Sequence, residues 1–402
     1  MSNVNLPDPA VTGQNDEYAS QPQAGRRTDN RKESVLPVGP NRVYRLVLTG
    51  GPCGGKTTAQ NLLHQFFTDL GWKVFVVPET PTIFINGGVR FAELTPEQNF
   101  VFQRSLLRAQ INTEAVFVRL AEAMTDRNSV VICDRGTNDI KAYIDDVSWQ
   151  RILKSYNLND MEVRDSRYDQ VLHLTTAAEG AGAFYTLTTN VARSETAAQA
   201  IALDTKTRNA WIGHPCLDIV DNSNTSCFED KMAKVLRIVA DRMHLKIGPD
   251  ESRKMPPLYL LRQWKLKSVD LAKLPQPNVK TNLAYDHLIQ LSPDVESQLR
   301  VRTNAVGQCV YESKIRRHVD GRILDTNRSL SLDDYASLIA LADPEKPPTK
   351  KTRFSFFHEG VYFHLDLEET AKYLRTYTNK LGEHDIRLPP FVVVDKEITA
   401  DG

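Results

Sequence analysis

Residues Gly50, Gly51, Pro52, Cys53, Gly54, Gly55, Lys56 and Thr57 fit the spacing GxxxxGK[ST]. Glycines at these positions let successive backbone N–H groups converge on phosphate oxygens. A helix starting at Lys56 would present its positive end to the same anion. Lys56 would reach the outer phosphates, Thr57 would ligate magnesium, and Thr58 would follow on the first turn. The expected ligand is therefore ATP or GTP with Mg2+. Asp134 closes the apolar run SVVICD and is the candidate carboxylate for the magnesium shell, paired with Thr57. Arg135 follows it and would grip a phosphate; a surface ion pair is its other reading. Glu79, in VVPET, stands where a carboxylate can take a proton from an acceptor hydroxyl, and a plain loop glutamate is the alternative. Arg193 and Arg208 bound a stretch that would act as a lid, with Arg193 the better candidate to stabilise a transferring phosphoryl group. Gln103, Arg104 and Arg108 share one side of a helix and would reach a substrate anion or lie solvated. His214 and Asp221 would wall the base side, a satisfied structural histidine being the competing reading.

These residues need a parallel sheet to hold them. VYRLVLT (43–49), KVFVV (73–77), SVVICD (129–134), QVLHLTT (170–176) and CLDIVD (216–221) are short apolar, β-prone runs. Between them, 57–70, 95–124, 193–211 and 227–243 carry apolar residues at helical spacing, and the 95–124 segment opens on a capping signal. Strands alternating with helices predict a doubly covered parallel sheet.

Beyond about residue 255 the pattern becomes antiparallel. LYLLRQWKLK, YDHLIQL, SQLRVRT, CVYESKIRR, TRFSFFHEGVYFHLDLE and FVVVDKEI alternate in the manner of strands, with Asn304, Gly307 and Asp320-Gly321 as turn residues. Side chains repeat every second residue, so Arg300 with Arg302, Lys314 with Arg316, and Lys351 with Arg353 each share a strand face. Basic pairs on several strands would converge on a polyanion; outward solubilising charge is the plain alternative. His364, Asp366 and Glu368 share one face, as do Asp395 and Glu397. The predicted organisation is a tail over 1–40 too polar to bury a core, a nucleotide domain over 41–248, a linker at 249–257 containing Pro256-Pro257, and a β-rich domain over 258–400.

Fifty basic residues balance fifty acidic ones among 402, so bulk charge gives no reason to expect a nucleic-acid partner. Five cysteines, with no CxxC pair, argue against a disulfide framework and a zinc site. No stretch has the length and apolarity of a membrane helix, so the expectation is a cytoplasmic protein whose membrane contact is peripheral.

TGGPCGGKTT, VPET, ICDRG with Asp139 and Ala142-Tyr143, and RSETAAQAIALDTKTRNAWIGHPCLDIVDN resemble the NadR-type AAA/ATPase domain over about 43–245. More closely they resemble the TRPL translocation defect protein family. That resemblance implies an α/β P-loop NTPase of nucleotide-kinase shape, with the Asp134 strand beside the Gly50 strand. It also implies nucleotide and phosphoinositide binding in a trafficking role, whereas the bacterial relatives phosphorylate ribosylnicotinamide. LRVR, the YESK strand and KTRF resemble the CYTH, or triphosphate-tunnel, fold over about 258–400. Catalytic members of that fold open on an ExExK strand that holds metal; here LYLLRQWKLK carries Arg262, Lys265 and Lys267 and no acid. The departure favours holding a polyphosphorylated ligand such as a phosphoinositide headgroup over hydrolysing it. A small-molecule kinase and a triphosphatase are the competing expectations.

Overall fold

The first strand, β1 (Val43–Thr49), is buried along most of its length and runs straight into the glycine turn. The structure is a computed structural model. It describes residues 42–180, 196–223, 225, 227–245, 247, 260–290, 292–319, 322–378 and 386–398. The expected tail, linker, Asp320-Gly321 turn and Arg193 lie outside them.

After β1 come α1 (Lys56–Asp69), β2 (Lys73–Val77), α2 (Thr80–Asn86), α3 (Pro96–Glu122), β3 (Ser129–Asp134), α4 (Asp146–Ser155), β4 (Gln170–Leu174), α5 (Ala197–Ala210), β5 (Leu217–Val220) and α6 (Phe228–Met243). The five strands are parallel in the order β2-β3-β1-β4-β5. The Asp134 strand therefore lies beside the Gly50 strand, with Leu48 opposite Asp134. A buried cluster on each side of this sheet covers both faces. Thr95 and Gln98 form a reciprocal capping box, which fixes where α3 begins.

The rest of the chain is antiparallel. β6 (Leu260–Val269), β7 (Asn278–His287), β8 (Val295–Asn304), β9 (Cys309–Val319), β10 (Arg322–Leu330), β11 (Thr349–His358), β12 (Val361–Glu368), β13 (Lys372–Thr378) and β14 (Val392–Ile398) join in the order β10-β9-β8-β7-β11-β12-β13-β6-β14. The short helix α7 (Leu332–Ile339) follows β10. The outermost strands β10 and β14 do not pair with each other among the described residues, so the described sheet is open rather than a hydrogen-bonded barrel.

One face of this sheet is apolar, built on Trp264, Phe356, Phe363 and Leu374. The other packs against the parallel-sheet region: Tyr362 and Phe357 join the cluster of Val43, Trp211 and Ile212. Tyr362 Oη accepts from Gly213 N at 2.8 Å and donates to His214 O at 3.2 Å. Residues 40–402 form a single compact unit.

Candidate functional site

The glycine turn is held by the end of β4. Gly50 has φ 126°, in the region that favours glycine, and a Cβ there would overlap the Leu174 carbonyl oxygen. Gly55, at φ 92°, precedes the first turn of α1. Lys56 Nζ donates to Gly50 O at 3.0 Å and Gly51 O at 2.8 Å, folded over the loop it would leave for a phosphate. Burial, then the neighbouring Arg135, pushes its pKa down to about 8, against the pull of Asp134 and Glu79. Thr57 and Thr58 are exposed on the first turn. The carbonyls of Pro52 and Cys53 face inward, accepting from Thr176 Oγ1 at 2.6 Å and Ala177 N at 3.3 Å.

Asp134 ends β3 beside this loop. Its Oδ1 is buried and has no hydrogen-bond partner, and burial raises its pKa despite Lys56. A buried carboxylate oxygen without a partner, next to an exposed threonine hydroxyl and a lysine, fits the magnesium expected at Thr57 and Asp134. Arg135 adopts φ 68°, and its Nε donates to Glu79 Oε1 at 2.5 Å. Its Nη1 stands 3.4 Å from Gly50 O. Burial would raise the Glu79 pKa, but Arg135 and the Thr82 hydroxyl outweigh it and keep the carboxylate ionised. Glu79 and Arg135 thus meet over the loop.

Behind the loop stands a set to which the sequence assigned no role, although Asp139 was named in a motif. Asp204 on α5 accepts from Gly51 N at 2.7 Å and Thr176 N at 3.0 Å, and pairs with His173 Nε2 at 3.0 Å. Asp139 accepts from Gly136 N at 2.9 Å, from Trp211 Nε1 at 3.0 Å and from the Thr49 hydroxyl. On α3, Gln110 and Glu114 interrupt the buried face, Gln110 bonding Thr80 and Arg135 O, Glu114 bonding Tyr168 and Arg167. The available signal was polar residues at i, i+3/i+4 spacing inside an apolar stripe.

The flanking candidates do not gather on the loop, and for Arg104, Arg108 and His214 the solvated and structural alternatives hold. Arg104 and Arg108 stack on Tyr156 instead of reaching the loop, and the Gln103 amide meets Asn99. Arg208 lies over the Phe357 ring of the antiparallel sheet, so it is a packing contact rather than a lid group. His214 is a structural histidine: burial drops its pKa to about 4, Cys216 N donates to its Nδ1, and Tyr168 O lies against its Nε2. Asp221 pairs with Lys234 at 3.0 Å.

Strand register builds the second site. Residues directly opposite in neighbouring strands point to the same side. Glu312, Arg300 and Tyr285 form one row across β9, β8 and β7; Arg302, Leu283 and Lys351 form the next, across β8, β7 and β11. Arg353, Asp366 and Tyr373 continue across β11, β12 and β13. Lys314 and Arg316 fall on the same face, opposite Gln298 and Glu296. The six basic residues expected to converge therefore share one face.

Buried carboxylates partly neutralise that face. Asp366 Oδ1 and Oδ2 accept a fork from Arg353 at 2.6 and 2.8 Å, and Lys351 and Arg375 stand 3.0 and 2.9 Å from Oδ2. Glu312 pairs with Arg300 and, at 3.5 Å, with Arg302. Between this face and the amino-terminal end of β1 lies a cavity of about 660 Å³. Ten basic side chains line it against four acidic ones. Of the six expected, Arg300, Arg302, Lys314 and Arg353 are among them, and Lys351 and Arg316 are not. Burial should raise the Tyr285 pKa, yet Lys351, Arg353, Arg300 and Arg302 pull it below its ordinary value, so the local potential is positive. Arg262 forks onto Glu397 and stacks over Trp264.

Residues 45–227 match the family model of an AAA domain. The match starts within β1, ends at Cys227 just before α6, and so stops before the antiparallel sheet. No curated protein matches the chain. Among solved structures, a thymidylate kinase from Ehrlichia chaffeensis is similar at 14% identity and TM-score 0.32, over 49% of this chain and 97% of the kinase. An inorganic triphosphatase is similar at 16% identity and TM-score 0.26, over 36% of this chain and 87% of that one. The amino-terminal region is a parallel α/β domain with a P-loop glycine turn, over which the AAA-domain model matches, and the carboxyl-terminal region is a separate antiparallel sheet. No helix among the described residues is long and apolar enough to cross a membrane.

Proposed function

We propose that this chain binds ATP or GTP with Mg2+ at the P-loop and holds a polyphosphorylated ligand on the basic face of its antiparallel sheet. The observation that carries the first half is the unpartnered Asp134 oxygen beside Lys56 and the exposed Thr57. When bound there, magnesium would neutralise phosphate charge and orient the nucleotide. Thr57 and Asp134 would hold it, while the loop amides and Lys56 take the phosphates. Asp134→Asn should lower affinity for the magnesium nucleotide about 10- to 100-fold and leave the metal-free affinity unchanged. Calorimetric titration with ATP and with GTP, with and without chelator, measures this; equal loss in both conditions would sink the metal assignment.

A small-molecule kinase is the second reading, favoured by the Arg135–Glu79 pair over the loop. Glu79 is ionised and would serve as base once an acceptor opened the pair. Phosphorus NMR of the same samples with pooled nucleosides and ribosylnicotinamide separates the readings, because only a kinase yields a new phosphomonoester. Triphosphatase action is disfavoured. β6 supplies bases instead of acids, and no cluster of three metal-binding side chains occurs among the described residues.

The second half rests on the excess of basic groups around the cavity. Its volume is in the usual range for small-molecule sites. Guanidinium forks suit phosphate oxygens, so a phosphoinositide headgroup is one candidate, which would give the protein a peripheral membrane contact and a place in trafficking or signalling. Inorganic tripolyphosphate should bind the full chain with affinity that falls steeply as salt rises. Arg300→Gln should weaken it about ten-fold, one charge-assisted contact, without moving nucleotide affinity. Binding indifferent to both salt and Arg300 would remove this half of the reading.

A further inference from the structure

Asp165 is the carboxylate that the P-loop domain places against the basic face. It lies in the single turn Glu162–Ser166 and lines the cavity. Its side chain is 0% exposed, and that of Arg302, across the boundary between the two sheets, is 4% exposed. Arg164 Nε and Nη2 donate to its two oxygens at 2.6 and 3.0 Å, and Arg302 Nη1 stands 3.2 Å from Oδ2.

The two arginines depend on it differently. Arg164 has a second carboxylate, Asp160, at 3.2 Å. Besides Asp165, Arg302 has among the described residues only a share of Glu312, which Arg300 also uses. Burial and then the adjacent Arg300 push the Arg302 pKa down, so this guanidinium is short of negative charge. Asp165 supplies it in the form a phosphate would, as oxygens accepting from guanidinium N–H groups. Few bonds among the described residues tie the turn to the sheet: besides the Arg302 pair, Ser329 Oγ donates to Ser166 O at 3.2 Å.

Given that the cavity takes a phosphorylated ligand, as proposed above, we infer that Asp165 is its resident competitor. A phosphate of the ligand replaces the Asp165 carboxylate on Arg302, and the 162–166 turn leaves the sheet as it enters. Ligand occupancy is then linked to how firmly the P-loop domain grips the sheet, and the linkage runs equally in both directions. The required chemistry is a group with adjacent phosphates, whether a soluble polyphosphate or a lipid headgroup.

Calorimetry of the full chain with inorganic tripolyphosphate tests this in the wild type, Asp165→Asn, Arg302→Gln and the double variant. Asp165→Asn should bind about ten-fold tighter, the competing charge-assisted contact being gone. That gain should vanish in the Arg302→Gln background. Hydrogen exchange on the wild type needs no variant to fold: amides 162–166 should exchange faster when tripolyphosphate is present. The same acceleration caused only by phosphatidylcholine vesicles containing phosphatidylinositol phosphate, and not by plain vesicles, would support the inference with a lipid as the source. Wild-type binding with 162–166 unchanged or more protected, and no gain from Asp165→Asn, would overturn the inference and leave the cavity reading standing. No binding of either probe to any variant would overturn both.

Discussion

Lys56→Met should abolish nucleotide binding and, at the same time, raise the thermal midpoint of the free protein. The first effect follows from geometry. Lys56 is folded on the glycine turn, and its release from the Gly50 and Gly51 carbonyls delivers a cation to the outer phosphates. Loss of a charge-assisted contact in a partly desolvated loop should cost at least ~100-fold in affinity. The second effect follows from electrostatics. Burial and Arg135 hold the Lys56 pKa at about 8, below the ~10.4 of an unfolded lysine, so the charged form is unfavourable in the free fold. Between those values the unfolded chain binds the extra proton, and wild-type stability rises with pH. Below pH 8 the full penalty applies, so the methionine variant should melt roughly 2–4 °C higher there, with the difference closing as pH approaches 10. Nucleotide phosphates raise the Lys56 pKa, so wild-type affinity should fall as pH rises through 8. Thermal melts and titrations across this range check both effects. A lower midpoint in the variant, or retained binding, would contradict the assignment of Lys56 as a strained, ligand-directed cation.

That a stability penalty sits on a residue legible from eight letters of sequence reflects how local the phosphate loop is. Its glycines, lysine and threonine are contiguous, and the strand before and helix after them follow from short-range pattern. The capping box at Thr95 and Gln98 was readable for the same reason. The supports were not, because they arrive from far along the chain: Asp204 reaches Gly51 across 153 residues and Trp211 reaches Asp139 across 72. Periodicity finds a helix face but not its neighbour, so it left Arg104 and Arg108 between a substrate anion and a solvated face, and they are exposed over Tyr156.

In the antiparallel sheet, alternation placed the basic pairs on common faces. It missed β10 and β13, whose sequences RILDTNRSL and KYLRTYT are too polar to stand out, and with β13 it missed Arg375. The neutralising role of Asp366 and Glu312 depends on register, which no single strand reveals. Among the described residues the nine-stranded sheet also has two edges, β10 and β14, which alternation along single strands does not reveal.

The largest stability effect should come from Asp366→Asn. This carboxylate is fully buried and is held by Arg353, Lys351 and Arg375. Removing one partner from a buried ionic cluster leaves charge uncompensated and costs on the order of 3–5 kcal/mol. Burial alone would raise the Asp366 pKa, but the Arg353 fork, then Lys351 and Arg375, outweigh it and hold the pKa well below the ordinary carboxylate range. A depressed folded pKa contributes stability above the unfolded value of ~3.9 that is lost as pH falls through the folded one. Wild-type denaturation midpoints should therefore decline below about pH 4, and the asparagine variant should lack that part of the slope. The three cations also connect this cluster to ligand binding, because one carboxylate among three cations still leaves surplus positive charge on the face. With Asp366 neutral the surplus grows, and tripolyphosphate should restore more of the variant's midpoint than it adds to the wild type. Equal ligand-induced shifts in the two proteins would mean that Lys351, Arg353 and Arg375 serve the fold alone, and the ligand-binding share of the basic face would fall to Arg300, Arg302 and Lys314.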